Sequence, residues 1–344
     1  MSVYSKKDIS YISCNDFFMS NSVRRMCHFT QTLFRKAICK SNNYNNWMIF
    51  FNRTFLLFLT IQPFLSWAID LQPNDIVAPL PDKTYLMLSY YITENTTKYQ
   101  NGSVINTPPF GNPTITNPNI ILRASRSYTL GDLPGLTFLQ LPFGSTQPEG
   151  SISNYSTSTG IGDFSIATAI WPYVNRDSRT YLGVAGFLSI PTGSYSNNQP
   201  FNMSENRYKT TLQIGLQKSI IGNLDGMIAV DTTWYGGNSQ CAAACGLANN
   251  VPLTQKPLTT TQLGPIYKIN PTFTVGASYF YVAGGATEIN NVYQNNVINT
   301  QRFLISGLAF TDFGRFSLQY GRDIAIENGF LQTRLLAIRY ARQF

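Results

Sequence analysis

The sequence predicts an all-β chain, a transmembrane antiparallel up-and-down β-barrel of about twelve strands with long extracellular loops and short periplasmic turns. Three observations lead there. The chain closes on a patterned strand, "LLAIRYARQF". Strand-like runs recur from Thr84 to Phe344 without a convincing helical stretch of ten residues. The connections between those runs alternate long and short.

In the closing run, Leu336, Ile338 and Tyr340 fall on alternate positions, Arg342 interrupts, and Phe344 ends the chain. Period two is the spacing of a strand with one apolar face. Termini usually fray, so a patterned final strand implies that the end is used. Tyr340 and Phe344 are the expected assembly signal, read by the barrel-assembly machinery.

The strand-like runs are Thr84–Thr93, Asn119–Leu130, Pro134–Phe143, Ile161–Tyr173, Arg179–Pro191 and Tyr208–Ile220. They continue with Asn223–Tyr235, Leu258–Ile269, Thr272–Ala283, Thr300–Thr311, Arg315–Arg322 and Phe330–Phe344. Many reach the length of about 9–11 residues that a tilted strand needs to cross a bilayer core. Leu212, Ile214 and Leu216 oppose Gln213, Gly215 and Gln217, and Phe316, Leu318 and Tyr320 oppose Arg315, Ser317 and Gln319. Phe273, Val275, Ala277, Tyr279 and Tyr281 likewise share one face.

Long connections fall at 94–118, 144–160, 192–207, 236–257 and 284–299, and short ones at 131–133, 174–178, 221–222, 270–271 and 312–313. The segment 323–329 is intermediate. Outer-membrane barrels sort their loops in this way, whereas a soluble sandwich has no reason to do so. Both termini then lie on the periplasmic side, which requires an even number of strands. Closure leaves no backbone group unpaired in lipid. The last strand must pair with the first.

Composition agrees. Only 12% of the 344 residues are charged and 14% are aromatic, against about 25% charged in soluble proteins. The formal charge of +8 is concentrated at the N-terminus: residues 1–47 hold seven basic and two acidic side chains, while from Ile69 onward there are 17 basic and 15 acidic. No basic stripe remains in the main body, which argues against a nucleic-acid partner.

"RTFLLFLTIQPFLSWA" has a basic residue, a broken apolar stretch and the ending Ser66-Trp67-Ala68, the layout of a secretory signal peptide. The expected division is residues 1–47 as a disordered extension or an over-long start assignment and 48–68 as the signal peptide. A periplasmic N-terminal segment follows at 69–83, and the barrel at 84–344. Cleavage after Ala68 removes Cys14, Cys27, Cys39 and the single histidine, His28. The cysteines that remain, Cys241 and Cys245 in "CAAAC", are expected to form a small loop disulfide. Two thiols without histidine make a poor zinc site, so no metal or cofactor is expected. Barrel hydrolases usually depend on a histidine base, which argues against an enzyme and leaves no catalytic residue to assign.

On the polar strand faces, Arg123, Gln213, Gln217, Asp231, Arg315, Gln319 and Arg339 are candidates to line the lumen. The competing interpretation of each is an internal network that merely fills it.

Several motifs resemble the outer-membrane barrels named the "MetA-pathway of phenol degradation" family. They are the acidic opening "NDIVAP" from Asp75 to Pro79, Gly162-Asp163 in "GIGDFSIATAIWP", and Pro191-Thr192-Gly193 in "IPTGSY". The aromatic C-terminus matches too, while the "CAAAC" loop and the long leader depart from the pattern. The resemblance implies passage of small hydrophobic or aromatic molecules through the outer membrane, among lipid and lipopolysaccharide. It carries over no catalytic residue. Gly162-Asp163 and Pro191-Thr192-Gly193 read most simply as a turn and a strand end. An alternative function is a non-transporting barrel whose Ser-, Thr-, Asn- and Gly-rich outer loops serve binding or adhesion.

Overall fold

The computed structural model describes residues 70–344. The leader, the signal-peptide expectation and His28 therefore lie outside the described residues. Twelve antiparallel strands form the wall: β1 (Thr84–Gln100), β2 (Pro113–Leu130), β3 (Leu133–Gly150), β4 (Phe164–Asn175), β5 (Thr180–Ile190) and β6 (Lys209–Ile221). The second half holds β7 (Leu224–Tyr235), β8 (Leu258–Lys268), β9 (Phe273–Gly284), β10 (Ile298–Thr311), β11 (Gly314–Ile326) and β12 (Gly329–Gln343). Each pairs with its sequence neighbour, and β12 returns to β1, closing the ring.

The seam runs from Tyr85 opposite Gln343 to Tyr99 opposite Gly329, with irregularities beside Asn95 and Lys98. At its base, the backbone N–H of Phe344 donates to the Thr84 carbonyl at 2.8 Å, and that of Thr84 donates to the Phe344 carbonyl at 3.2 Å. The chain is thus bonded to its very last residue.

The wall is apolar outside and polar inside. Leu86, Leu122, Leu212, Ile214, Ile305, Leu318 and Ile338 are exposed on the outer face. Ser89, Ser125, Gln140, Gln262, Ser306 and Gln332 are buried on the inner one. Water would penalise such a continuous apolar belt, and a bilayer accepts it.

The sequence pattern places the strands well but underestimates their outer ends. Strand β1 runs to Gln100 instead of Thr93, β2 begins at Pro113 instead of Asn119, and β3 reaches Gly150 instead of Phe143. The added stretches, such as Asn95–Lys98 and Ser145–Gln147, are polar on both faces. Hydrophobic alternation stops there while the backbone ladder continues. The same extension shortens the connection between β11 and β12 to residues 327–328. The expected strand Ile161–Tyr173 divides at Gly162-Asp163 into a short piece, Ser158–Ile161, and β4.

Above the wall at the long-loop end, Asn238–Cys241, Val251–Gln255, Thr287–Ile289 and Val292–Tyr293 form a separate four-stranded sheet. Cys241 and Cys245 are joined by a disulfide, packed with Leu253 and Ile289 in a small apolar cluster. Replacing both cysteines with serine should leave the folded barrel intact, since none of this sheet belongs to the wall. The loop 236–257 should then be cut faster by protease, as read from fragment masses under native conditions.

Candidate functional site

The segment expected as a periplasmic lead-in is packed inside the barrel, at the end that carries the short turns. A turn from Gln72 to Asp75 is closed by a 3.0 Å backbone hydrogen bond, and Asn74 takes a positive φ of 69°. This coiled stretch exposes backbone groups that need partners, and the inward polar faces of the strands supply them. Leu71 exchanges two hydrogen bonds with the Gln262 amide, at 3.1 and 2.8 Å. Gln72 donates to Gln319 at 2.6 Å and accepts from Ser317 at 2.8 Å. The Ile76 carbonyl accepts from the Trp171 indole at 2.7 Å, and the Leu80 carbonyl from Ser127 at 2.6 Å.

Asp75 is the electrostatic centre of this plug. Its carboxylate meets Arg315 at 2.9 Å and Arg339 at 3.2 Å, and accepts the Gln72 backbone N–H at 2.9 Å. Arg339 also donates to the Tyr91 hydroxyl at 3.0 Å. Burial alone would raise the pKa of Asp75, but the two arginines outweigh it and hold the carboxyl below its ordinary range.

All seven lumen candidates face inward. Gln217 donates to Asn74 of the plug at 3.0 Å and to Asp225 at 3.3 Å. Gln319, Arg315 and Arg339 bind the plug as described. Arg123 holds Gln140 through Nε at 2.9 Å and stacks 4.1 Å from the Phe138 ring centre. Gln213 and Asp231 face each other across β6 and β7. Four of the seven thus touch the plug directly, a partnership that strand alternation does not indicate.

Between the plug and the long loops lies a chamber with a cavity volume of about 160 Å³. Ile115, Ile121, Val282, Ile298 and Phe330 line it on the apolar side, and Gln140, Asp163, Lys209, Arg302 and Gln332 on the polar side. At the long-loop end Phe110, Ile115, Ile152, Phe201 and Phe330 pack together, with the Phe110 and Phe330 rings edge to face at 5.9 Å. The outer loops carry a small core of their own. Serine-, threonine- and asparagine-rich composition hides this, because single apolar residues in each loop combine only in space.

Two of the family motifs, Gly162-Asp163 and Pro191-Thr192-Gly193, meet at the chamber rim. Asp163 accepts the Gly193 backbone N–H at 3.2 Å, and Thr192 accepts that of Phe164 at 3.0 Å. A Cβ on Gly193 would lie 2.6 Å from the Gly162 carbonyl carbon and 2.9 Å from the Asp163 nitrogen, so only glycine permits this approach. Burial raises the Asp163 carboxyl above its ordinary value, against the pull of Ser204 and Lys209. Beside it, burial would raise Glu205 as well, but Lys209 and Arg207 bring it down to about 2. Lys209 contacts Glu205 at 2.9 Å, and Arg207 is bonded to the same carboxylate. Sequence reading missed Glu205, Arg207 and the buried Arg302–Asp323 pair at 2.9 Å, since single charges on a strand do not announce their partners.

The solved structures include a strong likeness. The COG4313 outer membrane channel from Pseudomonas putida F1 shares 26% identity, with 80% of this chain and 100% of that chain covered, at a TM-score of 0.74. The β domain of the Bordetella autotransporter BrkA, at 9% identity, covers 76% of this chain and 100% of that one with a TM-score of 0.45. That value is too low to bear weight. No curated protein matches the sequence. The closed wall and the first likeness support placement in the outer membrane. Residues 121–340, from the middle of β2 to Tyr340 near the end of β12, match the family described as "Putative MetA-pathway of phenol degradation". A match across eleven of the twelve strands leaves the affiliation plain, and the chain belongs to that family.

Proposed function

We propose that the protein is an outer-membrane channel for small hydrophobic or aromatic molecules, exported by a signal peptide cleaved after Ala68. The carrying observation is the chamber: a space with one apolar and one polar side, closed toward the short-turn end by a hydrogen-bonded plug. A water-filled pore for ions or sugars would need a continuous polar path, and the plug interrupts it. The P. putida relative is itself described as an outer membrane channel, which supports the same role. The adhesion alternative has less support, because the outer loops turn Ile152, Phe201 and Phe110 inward instead of outward. No histidine occurs from Ile69 onward, and the channel needs no catalytic group. The surrounding partners in this reading are lipid, lipopolysaccharide and the assembly machinery.

The test uses asymmetric vesicles with a lipopolysaccharide outer leaflet. Reconstituted protein should speed entry of naphthalene, and of decalin to a lesser degree, over protein-free vesicles, while sucrose entry stays unchanged. Equal naphthalene entry with and without protein would refute the proposal.

A further inference from the structure

The chamber wall carries a polar side chain that the fold leaves without a bond. Gln332, on β12, is 1% exposed, and neither its amide oxygen nor its amide nitrogen has a hydrogen-bond partner. The amide oxygen of Asn117, on β2, is also unbonded, although its nitrogen donates to Thr93 at 3.2 Å. Both residues line the chamber. They flank β1 on either side: Gln332 stands opposite Asn95 and Asn117 opposite Thr93. Two strand spacings across and two residues along put their backbones about 12 Å apart, with the two side chains reaching toward the space between.

A buried amide with no partner is costly, and natural folds seldom keep one without a reason. Local charges do not explain it. Asp323 accepts the backbone N–H of Gln332 at 2.8 Å, and its other oxygen is taken by Arg302 at 2.9 Å. These two charges neutralise each other, so this stretch of wall offers a ligand no free ion. What it offers is one amide donor and two amide acceptors beside Ile115, Ile298 and Phe330. The unbonded atoms are buried, and a change of rotamer at Gln332 would turn them toward an occupant of the chamber.

We infer that Gln332, with Asn117, forms a subsite that selects apolar molecules carrying one neutral hydroxyl group, which can donate to one amide and accept from the other. The inference rests on the channel reading and narrows its cargo from hydrocarbons in general to hydroxylated ones.

Benzyl alcohol and ethylbenzene test it, being nearly the same shape with a hydroxyl in place of a methyl. Equilibrium dialysis of the full-length, detergent-solubilised protein, corrected by a protein-free micelle blank, should show benzyl alcohol bound more tightly by about tenfold. Gln332→Leu should remove that preference while ethylbenzene binding is kept or improved. Gln332→Met, closer in shape, repeats the test if the leucine variant loses the heat-modifiable mobility of a folded barrel. A wild type that binds both probes equally would overturn the subsite and leave the channel standing. A wild type that binds neither would overturn both readings. A preference that survives in the variants, with only a gain in thermal stability, would mark the amide as a structural feature unrelated to cargo.

Discussion

Asp75→Ala should raise the ion conductance of the reconstituted barrel several-fold in planar bilayers. The substitution removes the only charge on the plug that meets Arg315 and Arg339, and leaves two guanidinium groups facing one another. Breaking a buried ion pair from one side costs about 3–5 kcal/mol. Here the carboxylate and Arg315 are each about one-fifth exposed, at 19% and 22%, so the lower end of that range applies. The remaining ties are hydrogen bonds worth about 1 kcal/mol each, including Arg315 to the Pro73 carbonyl at 3.2 Å, and an Asp70–Arg302 contact at 3.9 Å, so the turn around Asp75 loosens first while the rest of the plug stays docked. Asp75→Asn keeps an acceptor for the Gln72 N–H and should open the barrel less. The pH dependence has a definite sign. A carboxyl held below its ordinary value of 3.8 contributes to docking above that value, and the contribution disappears as pH falls through the lower docked value. Wild-type conductance should therefore stay low from neutrality down to about pH 4 and rise only in stronger acid. An alanine variant as quiet as the parent would mean that Asp75 does not hold the plug.

Deleting Phe344, or changing Tyr340 to Asp, should sharply reduce the amount of heat-modifiable barrel recovered from the outer membrane. Local energetics alone predict little. Phe344 contributes two backbone hydrogen bonds to Thr84, worth about 1 kcal/mol each. Tyr340 donates to the Phe313 carbonyl at 2.7 Å and lies 4.9 Å from the Phe316 ring centre, all near the short-turn rim. A charge on a lipid-facing position costs about 2–4 kcal/mol at the midplane and much less at the rim. A large loss therefore reports failed recognition of the terminal strand during assembly. The control is Ala341→Asp, which points inward and stands opposite Arg315, where an added carboxylate gains an opposite charge. Normal recovery of all the variants would remove the assembly role of Tyr340 and Phe344.

The wall was legible because lipid and water impose opposite demands on successive side chains. Leu212 through Gln217 and Phe316 through Gln319 carry that contrast residue by residue, and their faces could be assigned without coordinates. The contrast disappears where both faces are polar, as at Asn95–Lys98, so the outer strand ends were lost with it. The plug was illegible for a different reason. "NDIVAP" has no periodicity, and the partners of Asp75 lie 240 and 264 residues away, beyond any local pattern. The motif marked where something happens without saying what. Likewise, Gly162-Asp163 and Pro191-Thr192-Gly193 read separately as a turn and a strand end, while their contact with each other is a property of the closed ring.

The ties of the plug differ in kind from those of the wall. Each wall hydrogen bond joins a strand to its neighbour, so the ring alone behaves like staves hinged edge to edge, easily pressed into an ellipse. Residues 70–80 instead reach β2 at Ser127, β4 at Trp171, β6 at Gln217, β8 at Gln262, β11 at Gln319 and β12 at Arg339. They act as spokes that brace opposite sides of the wheel. Withdrawing them softens the rim in the same movement that clears the bore, and the cross-section of the barrel becomes free to change shape with its cargo.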